Sequence, residues 1–336
     1  MTAMPNSPGR GKRAGLAAAL GAGWLLLVVG AWLYARMQRI PEWAALPVAA
    51  AFLIEIPFYL LPAFQTARAW FGRQKKIRAA LLLAASAVTP WLVYSLTTGE
   101  ARLTHFLLLL AIVLAVPLWY IALPSAPASD TLFLVAIGAV YLSKIFDRIY
   151  LSPIPKLSIS VLGHLMLIRM AALAIITFRG GVTAEYRFLP NRGEWLTGLR
   201  YFGMMLPAIG FSYWALGLVQ IRAHPNGIGL TVLLAIGTFF VMLWVVALSE
   251  EFFFRGLLQQ WIERWTGSPA TALVAASLVF GCAHLGFHRV FPNWQWALVA
   301  AVLGVFCGLA WRKARSIQAA MVTHALIVTV WQVFFR

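Results

Sequence analysis

Long apolar runs separated by short polar gaps fill almost the whole chain. A bilayer core of about 30 Å requires about 20 apolar residues per helix, and runs of about that length recur along the sequence. The pattern predicts an all-α protein, a polytopic transmembrane helical bundle of about eleven spans, or ten if the short run near 131–146 is not a span. The predicted spans lie near 15–35, 44–64, 79–98, 103–123, 131–146, 159–178, 201–219, 228–249, 270–286, 294–311 and 316–335.

The longest polar stretch divides these spans into two groups. Residues 179–200 read RGGVTAEYRFLPNRGEWLTGLR, and we interpret them as an interfacial linker. The sequence therefore predicts a cytoplasmic tail at 1–14, about six transmembrane helices in 15–178, and a core of about five in 201–336. The glycines at 304 and 308 form a small-xxx-small pair, which is typical of a helix-packing face.

The composition excludes the soluble classes of protein. Of the 336 residues, 62% are hydrophobic and 11% are charged, against about 25% charged in an average soluble protein. A soluble fold of this size would lack the polar side chains to cover its surface, and a disordered chain would be far less apolar. The two cysteines, Cys282 and Cys307, lie in apolar runs, where a small buried hydrophobe is the expected role.

The charge is strongly basic, with 27 Lys and Arg against 10 Asp and Glu and a net charge of +17. In a soluble protein this excess would favour nucleic acid. Here the cations lie in short gaps between apolar runs, as in cytoplasmic loops, so we predict the lipid bilayer and no nucleic acid as partner. We expect a multi-pass protein of the cytoplasmic (inner) membrane of a bacterium. A cytoplasmic N-terminus puts 17 cations inside and nine outside, although the segment 124–158 breaks the pattern and its topology stays open.

A pair of carboxylates interrupts one of the apolar runs. Residues 249–256 read SEEFFFRG, and ionisable groups inside a membrane are costly and usually functional. On a helix Glu251 and Arg255 are i and i+4, which favours an ion pair. Glu250 points about 100° away and is not neutralised by the same contact. The alternative is a helix that simply emerges among the lipid headgroups.

Two histidines on other spans favour a functional role for the glutamate pair over a helix that simply emerges from the membrane. His284 lies in FGCAH and His324 in MVTHA. A single histidine in a helix is most often a packed, hydrogen-bonded group, but two on separate spans together with the glutamates form a set that can converge. A carboxylate beside an imidazole activates water as a general base, and a second imidazole stabilises a developing oxyanion. The reaction class that these residues indicate is hydrolysis of an amide.

Three motifs in this order resemble the CPBP family, the CAAX-protease and bacteriocin-processing membrane proteins, also called the Abi family. The motifs are Glu-Glu-x-x-x-Arg, then Phe-x-x-x-His, then a histidine on the final helix, and the resemblance covers about residues 228–335. It implies a glutamic-type intramembrane endopeptidase without a cofactor, acting on a membrane-anchored protein or peptide. Family substrates include prenylated proteins, bacteriocin-like peptides and C-terminal sorting anchors.

The resemblance also implies a role for each matching residue. Glu250 would be the catalytic base, His284 would help it to activate water, and His324 would stabilise the oxyanion. The supporting residues of the match are Glu251 and Arg255, which pair, and Phe280, which shapes the pocket.

One position departs from the family pattern. The last family motif usually continues as His-x-x-x-Asn or His-x-x-x-Asp, but here Val328 stands four residues after His324, and valine neither donates nor accepts a hydrogen bond. Thr329 is the next polar group, a further 100° round the helix. Losing one oxyanion donor costs about 2.7–4 kcal/mol of transition-state stabilisation. The first alternative is therefore a non-catalytic relative that acts as a binding or immunity protein.

Two further alternatives stay open. Glu250, His284 and His324 together would suit zinc with one open position, which would make the chain a zinc-dependent membrane protease. His288, four residues after His284, lies beyond Gly286 and forms no His-Glu-x-x-His motif. A transporter would use Glu55, Arg169 and the glutamate pair as an ion path, but no broken-helix pair occurs at matching positions in two halves.

Overall fold

The computed structural model describes residues 10–155, 157–179, 186–218, 227–287 and 290–335. The regular structure of these residues is helical, which confirms the predicted all-α class. The helices are α1 (Arg10–Met37), α2 (Glu42–Leu60), α3 (Gln65–Arg73), α4 (Lys76–Thr98), α5 (Leu103–Ala122), α6 (Pro127–Leu142), α7 (Ile145–Ile149), α8 (Ser160–Arg179), α9 (Arg192–Ala215), α10 (Gly227–Thr266), α11 (Pro269–Ala283), α12 (Trp294–Ala314) and α13 (Ile317–Phe334).

Within the described ranges, seven helices are long and apolar enough to cross a membrane. Three further apolar helical stretches are shorter, at Leu27–Met37, Pro127–Leu142 and Pro269–Ala283, so the count of eleven spans is not confirmed. The reason is that apolarity locates a helix but does not fix its length, because turns and caps decide where it ends.

The linker predicted at 179–200 is helical in its last part. Helix α9 begins at Arg192, after an Asn191 cap whose side chain accepts from the backbone N–H of Glu194 at 3.0 Å. The Glu194 carboxylate accepts in return from the Asn191 N–H at 2.6 Å. This reciprocal capping box starts a helix even in a polar stretch. Linker residues 180–185 and tail residues 1–9 lie outside the described residues.

Helix α10 is one continuous helix that contains two π-helical segments. The segments Met242–Ala247 and Phe252–Gln259 are π-helical, and the short α-helical segment Leu248–Glu251 lies between them. The predicted span at 228–249 therefore runs on through the glutamate pair to Thr266. π-Helical turns are rare and occur frequently at functional sites.

The chain packs as two compact units. The first comprises Met1–Leu61, Gln74–Leu118 and Lys144–Ala171. Its core contains the charge pair Glu55–Arg169, in which Arg169 binds both carboxylate oxygens and also donates to the Ser86 hydroxyl and carbonyl, each at 3.0 Å. Glu55 and Arg169 are at most 1% exposed. This pairing joins α2, α4 and α8 and occupies the charges that the transporter alternative would need.

The second unit comprises Pro62–Arg73, Trp119–Ser143 and Ala172–Arg336. In it α11 packs on α12, and α13 packs on α9, α10 and α12. Helices α9 and α13 approach each other closely at Gly198, which has no side chain. There the Thr323 hydroxyl on α13 donates to the Gly198 carbonyl on α9 at 3.0 Å. The second unit holds all the predicted site residues. The earlier division into 15–178 and 201–336 stays a prediction.

We expect Gly198→Ala to lower the free energy of unfolding by about 1–3 kcal/mol, the usual cost of overpacking. A Cβ at Gly198 would lie 2.5 Å from the Val322 Cβ and 2.8 Å from the Ala319 carbonyl oxygen. Thermal unfolding of the detergent-solubilised protein measures the change. The matched control is Gly203→Ala on the same helix, where a Cβ meets nothing within 4 Å. Equal transitions for the two variants would contradict this close approach.

Candidate active site

The centre of the site is the Glu251 carboxylate, which is fully buried on α10. Arg255 lies one turn later, with its NH1 nitrogen 3.1 Å from Oε1 and 3.0 Å from Oε2 of Glu251. The Nδ1 atom of His324 on α13 lies 2.7 Å from the same Oε1. The structure therefore contains the i, i+4 ion pair that the sequence predicts, and it adds an imidazole as a second partner. A buried carboxylate without such partners would be strongly destabilising.

Arg255 is contacted by groups on three helices, which stabilise a buried cation. Its NH2 nitrogen donates to the Gly304 carbonyl of α12 at 2.8 Å, and its guanidinium lies 4.8 Å from the centre of the Phe280 ring. A Cβ at Gly304 would approach this NH2 nitrogen to 3.4 Å and Ser277 to 3.1 Å. Gly304 therefore makes room for the guanidinium, in addition to the helix packing expected of it.

Glu250 is placed differently from its neighbour. Its side chain is 20% exposed, and its Oε2 oxygen has no hydrogen-bond partner among the described residues. The nearest charged partner is the Nε2 atom of His324, at 3.8 Å, a distance too long for a hydrogen bond. Glu250 thus points away from the Arg255 pair, as the 100° offset predicts, and keeps an oxygen able to accept a proton.

His324 and His284 each make one hydrogen bond through Nδ1, and this bond fixes which ring nitrogen holds the proton. A carboxylate or carbonyl oxygen only accepts, so the Nδ1 atom of His324 donates to Glu251. The Nδ1 atom of His284 likewise donates to the Phe280 carbonyl at 2.8 Å. In each histidine Nε2 is left for chemistry, a common arrangement in which the bond at one nitrogen sets the tautomer at the other.

Among the described residues, His284 is connected to the site by its contacts with Phe280 and not by a hydrogen bond to the carboxylates. It is half-buried at the C-terminal end of α11, and its ring centre lies 4.8 Å from that of Phe280. The Phe280 ring is fully buried and also contacts His324, at 5.8 Å between ring centres. The described residues show no hydrogen bond from His284 to Glu250 or Glu251. Glu250, Glu251, Arg255 and His324 are in direct contact, and both histidines contact Phe280.

The position that departs from the family pattern lies on the same helix as His324. Val328 is half-buried and Thr329 is 7% exposed. The Thr329 hydroxyl has no hydrogen-bond partner in the described part of the chain. It is the polar group nearest in sequence to the position where the family has an amide or a carboxyl.

Cys307 is a member of the site that the sequence did not single out. Its Sγ atom, a carboxylate oxygen of Glu251 and a ring nitrogen of His324 all lie within 4.8 Å of one another. The spacing Gly304-x-x-Cys307 puts Cys307 on the helix face that meets Arg255. This spacing is the sequence feature that could have identified Cys307 as part of the site. Its complete burial agrees with the expected small hydrophobe, whereas Cys282 on α11 is exposed, so the same expectation is wrong there.

The Cys307 cluster has the donor types of a metal site, but its donors are already engaged. The Glu251 oxygens contact Arg255, and Oε1 accepts from His324. A cation here would have to displace the guanidinium. The zinc set predicted from the sequence, Glu250 with the two histidines, is not among the described groups whose ligand atoms converge within this distance. His288 lies outside the described residues.

Residues 231–330 match the family model described as Type II CAAX prenyl endopeptidase Rce1-like. The match includes every predicted site residue and confirms the resemblance to the CAAX-protease family. No curated protein and no solved structure matches the chain. Together with the seven helices of spanning length, the match indicates a multi-pass membrane protein with a region similar to membrane proteases.

Proposed function

We propose that the protein is an intramembrane endopeptidase of the glutamic type, which hydrolyses a peptide bond in a membrane-anchored protein or peptide. The observation that supports this most directly is the contrast between two adjacent carboxylates. Glu251 is fully buried and is bound by Arg255 at 3.0 Å and by His324 at 2.7 Å. Glu250 is 20% exposed and makes neither contact at hydrogen-bond distance, since its Oε2 lies 3.8 Å from the Nε2 atom of His324. A free carboxylate beside an oriented imidazole is the arrangement that general-base hydrolysis requires.

In the proposed mechanism Glu250 takes a proton from water, and the resulting hydroxide attacks the substrate carbonyl carbon. His284 assists through Nε2, which its hydrogen bond to Phe280 leaves as an acceptor. His324, whose Nδ1 atom is held by Glu251, stabilises the oxyanion of the tetrahedral intermediate from its Nε2 side. Glu250 then returns its proton to the leaving amine as the C–N bond breaks, so that the site is restored.

The substrate class follows from the family match alone. The matching family is described as prenyl endopeptidases, so a lipid-anchored C-terminal peptide is the first substrate to test. Bacteriocin-like peptides and C-terminal sorting anchors are the other classes that we propose. We also propose the bacterial inner membrane as location, with a cytoplasmic N-terminus, because the positive charges of the chain are distributed in that way.

A second candidate function is a non-catalytic binding or immunity protein. Val328 favours it, because the position lacks the polar side chain of the family pattern. The buried, unpartnered Thr329 hydroxyl is the group best placed in sequence to substitute.

The test compares protein termini in membranes that contain the wild type with termini in membranes that contain Glu250→Gln, in the native host. New termini that depend on Glu250 support the protease and reveal the cleavage site. Identical profiles across all membrane proteins would instead favour the binding or immunity protein.

A metal chelator is expected to leave proteolysis unchanged. Glu251, the buried carboxylate of the Cys307 cluster, is already bound by Arg255, so no metal is needed to balance its charge. Peptide cleavage by the purified protein is measured with and without 1,10-phenanthroline. Loss of cleavage that returns on adding Zn²⁺ would favour the zinc-dependent alternative.

A further inference from the structure

A line of polar side chains leads away from the site along α10. After Glu251 and Arg255 come Gln259 and Glu263, each four residues further on. Arg255 and Gln259 are fully buried, although both lie in a long apolar helix. Buried polar residues in such a row are costly in a membrane and call for a function.

Several polar atoms along this line have no protein partner among the described residues. The Oε1 and Nε2 atoms of Gln259, the Nε of Arg255 and the Oε2 of Glu263 are all buried without a hydrogen-bond partner in the described residues. Each unmet buried group costs about 1–3 kcal/mol, and buried polar atoms that lack a protein partner are normally bonded to water. The uncharged amide of Gln259 is the most informative of these groups, because no ion pair explains its burial.

Two glycines of α12 face this line and make room for it. A Cβ at Gly308 would lie 2.9 Å from the Oε1 and 3.5 Å from the Nε2 of Gln259. A Cβ at Gly304 would lie 3.4 Å from the NH2 of Arg255. A Cβ at Gly308 would also overlap the Cδ1 atom of Leu273, so the small-xxx-small pair packs against α11 and in addition borders polar atoms at both positions.

The line ends in a basic cavity of about 350 Å³ between the ends of α10 and α12. The cavity is lined by Glu263 and by the cations Arg312, Lys313 and Arg315, among other residues. The Arg315 side chain is 69% exposed. A cluster of exposed cations at a helix end marks the aqueous boundary of a membrane protein, so this cavity is where water has access.

We propose that Gln259 and Glu263 line a water file that connects the basic cavity to the catalytic carboxylates. Gly304 and Gly308 leave room beside α12 for the polar side chains, and the Gln259 amide bonds the waters of the file. The role of the file in supplying water for hydrolysis rests on the proposed function. Its hydration is a property of the chain alone and is tested without any substrate.

The experiment measures the reactivity of a cysteine placed in the file, since the hydrated thiolate is the nucleophile that attacks the reagent. In a Cys282→Ala, Cys307→Ala background, Gln259→Cys is labelled with a small charged methanethiosulfonate. The matched control is Leu257→Cys, because Leu257 lies on the same π-helical segment and is 1% exposed. We expect Gln259→Cys to react at least about tenfold faster. Equal rates in two folded variants would overturn the proposal.

A second measurement covers the case in which Gln259→Cys does not fold. The native Cys307 thiol, at the inner end of the file, is labelled in Cys282→Ala with and without Gln259→Leu, which removes the polar amide at similar size. We expect Gln259→Leu to slow this labelling at least about tenfold, and an unchanged rate would contradict the file. Labelling is measured without any substrate and cleavage is measured separately, so failure of the protease proposal and failure of the file give different results.

Discussion

Glu250→Gln is expected to lower the rate of peptide hydrolysis by about 10²–10⁴-fold, the usual contribution of a positioned general base. The substitution keeps the size and shape of the side chain but removes the basic oxygen. Because Glu250 makes no ion pair with Arg255 and is 20% exposed, its loss of charge leaves the buried Glu251–Arg255–His324 contacts in place. The rate should fall mainly in kcat, since the lost interaction belongs to the transition state.

The measurement is cleavage of a prenylated peptide by purified protein in nanodiscs, with the thermal transition recorded in parallel. Glu42→Gln is the matched control, because Glu42 is exposed at the start of α2. We expect the control to cleave at the wild-type rate, and both variants to unfold within about 1 °C of it. Normal cleavage by Glu250→Gln would remove Glu250 from the mechanism.

Arg255→Met is expected to lower the free energy of unfolding by about 3–5 kcal/mol, the cost of leaving one partner of a buried pair alone. Methionine fills most of the space that the methylene groups of arginine occupy, so the lost volume contributes little to the change in the free energy of unfolding. The Glu251 carboxylate, fully buried, would keep only the hydrogen bond from His324. The Gly304 carbonyl would lose its donor as well.

Denaturant unfolding in detergent measures this change, with Arg315→Met as the control. Arg315 pairs with Glu263 at 3.7 Å but is 69% exposed, and exposed pairs contribute about 0–1 kcal/mol. The double variant Glu251→Leu, Arg255→Met should regain part of the stability, because no charge is left alone in the core. A loss below about 1 kcal/mol in Arg255→Met would show that the pair is not an essential part of the core.

The sequence by itself determined the class of protein and the local geometry of the site. Apolar runs with cationic gaps are sufficient to predict an all-helical membrane protein, because the bilayer permits few other structures. The spacing of Glu251 and Arg255 predicts their ion pair, and the structure places them at 3.0 Å. The same geometry directs Glu250 elsewhere. These predictions succeed because they depend only on positions within one helix.

The tertiary structure alone decided which helices meet and where they end. His324 bonds to Glu251 across 73 residues, and the Gly304 carbonyl accepts from Arg255 across 49. A periodic pattern gives the direction of a side chain on its own helix but not the helix that it faces. The same limit explains why the sequence left out Cys307, paired Glu250 with His284 rather than with His324, and did not predict the π-helical turns beside the glutamates. Those features depend on packing between helices, which residues distant in the chain determine together.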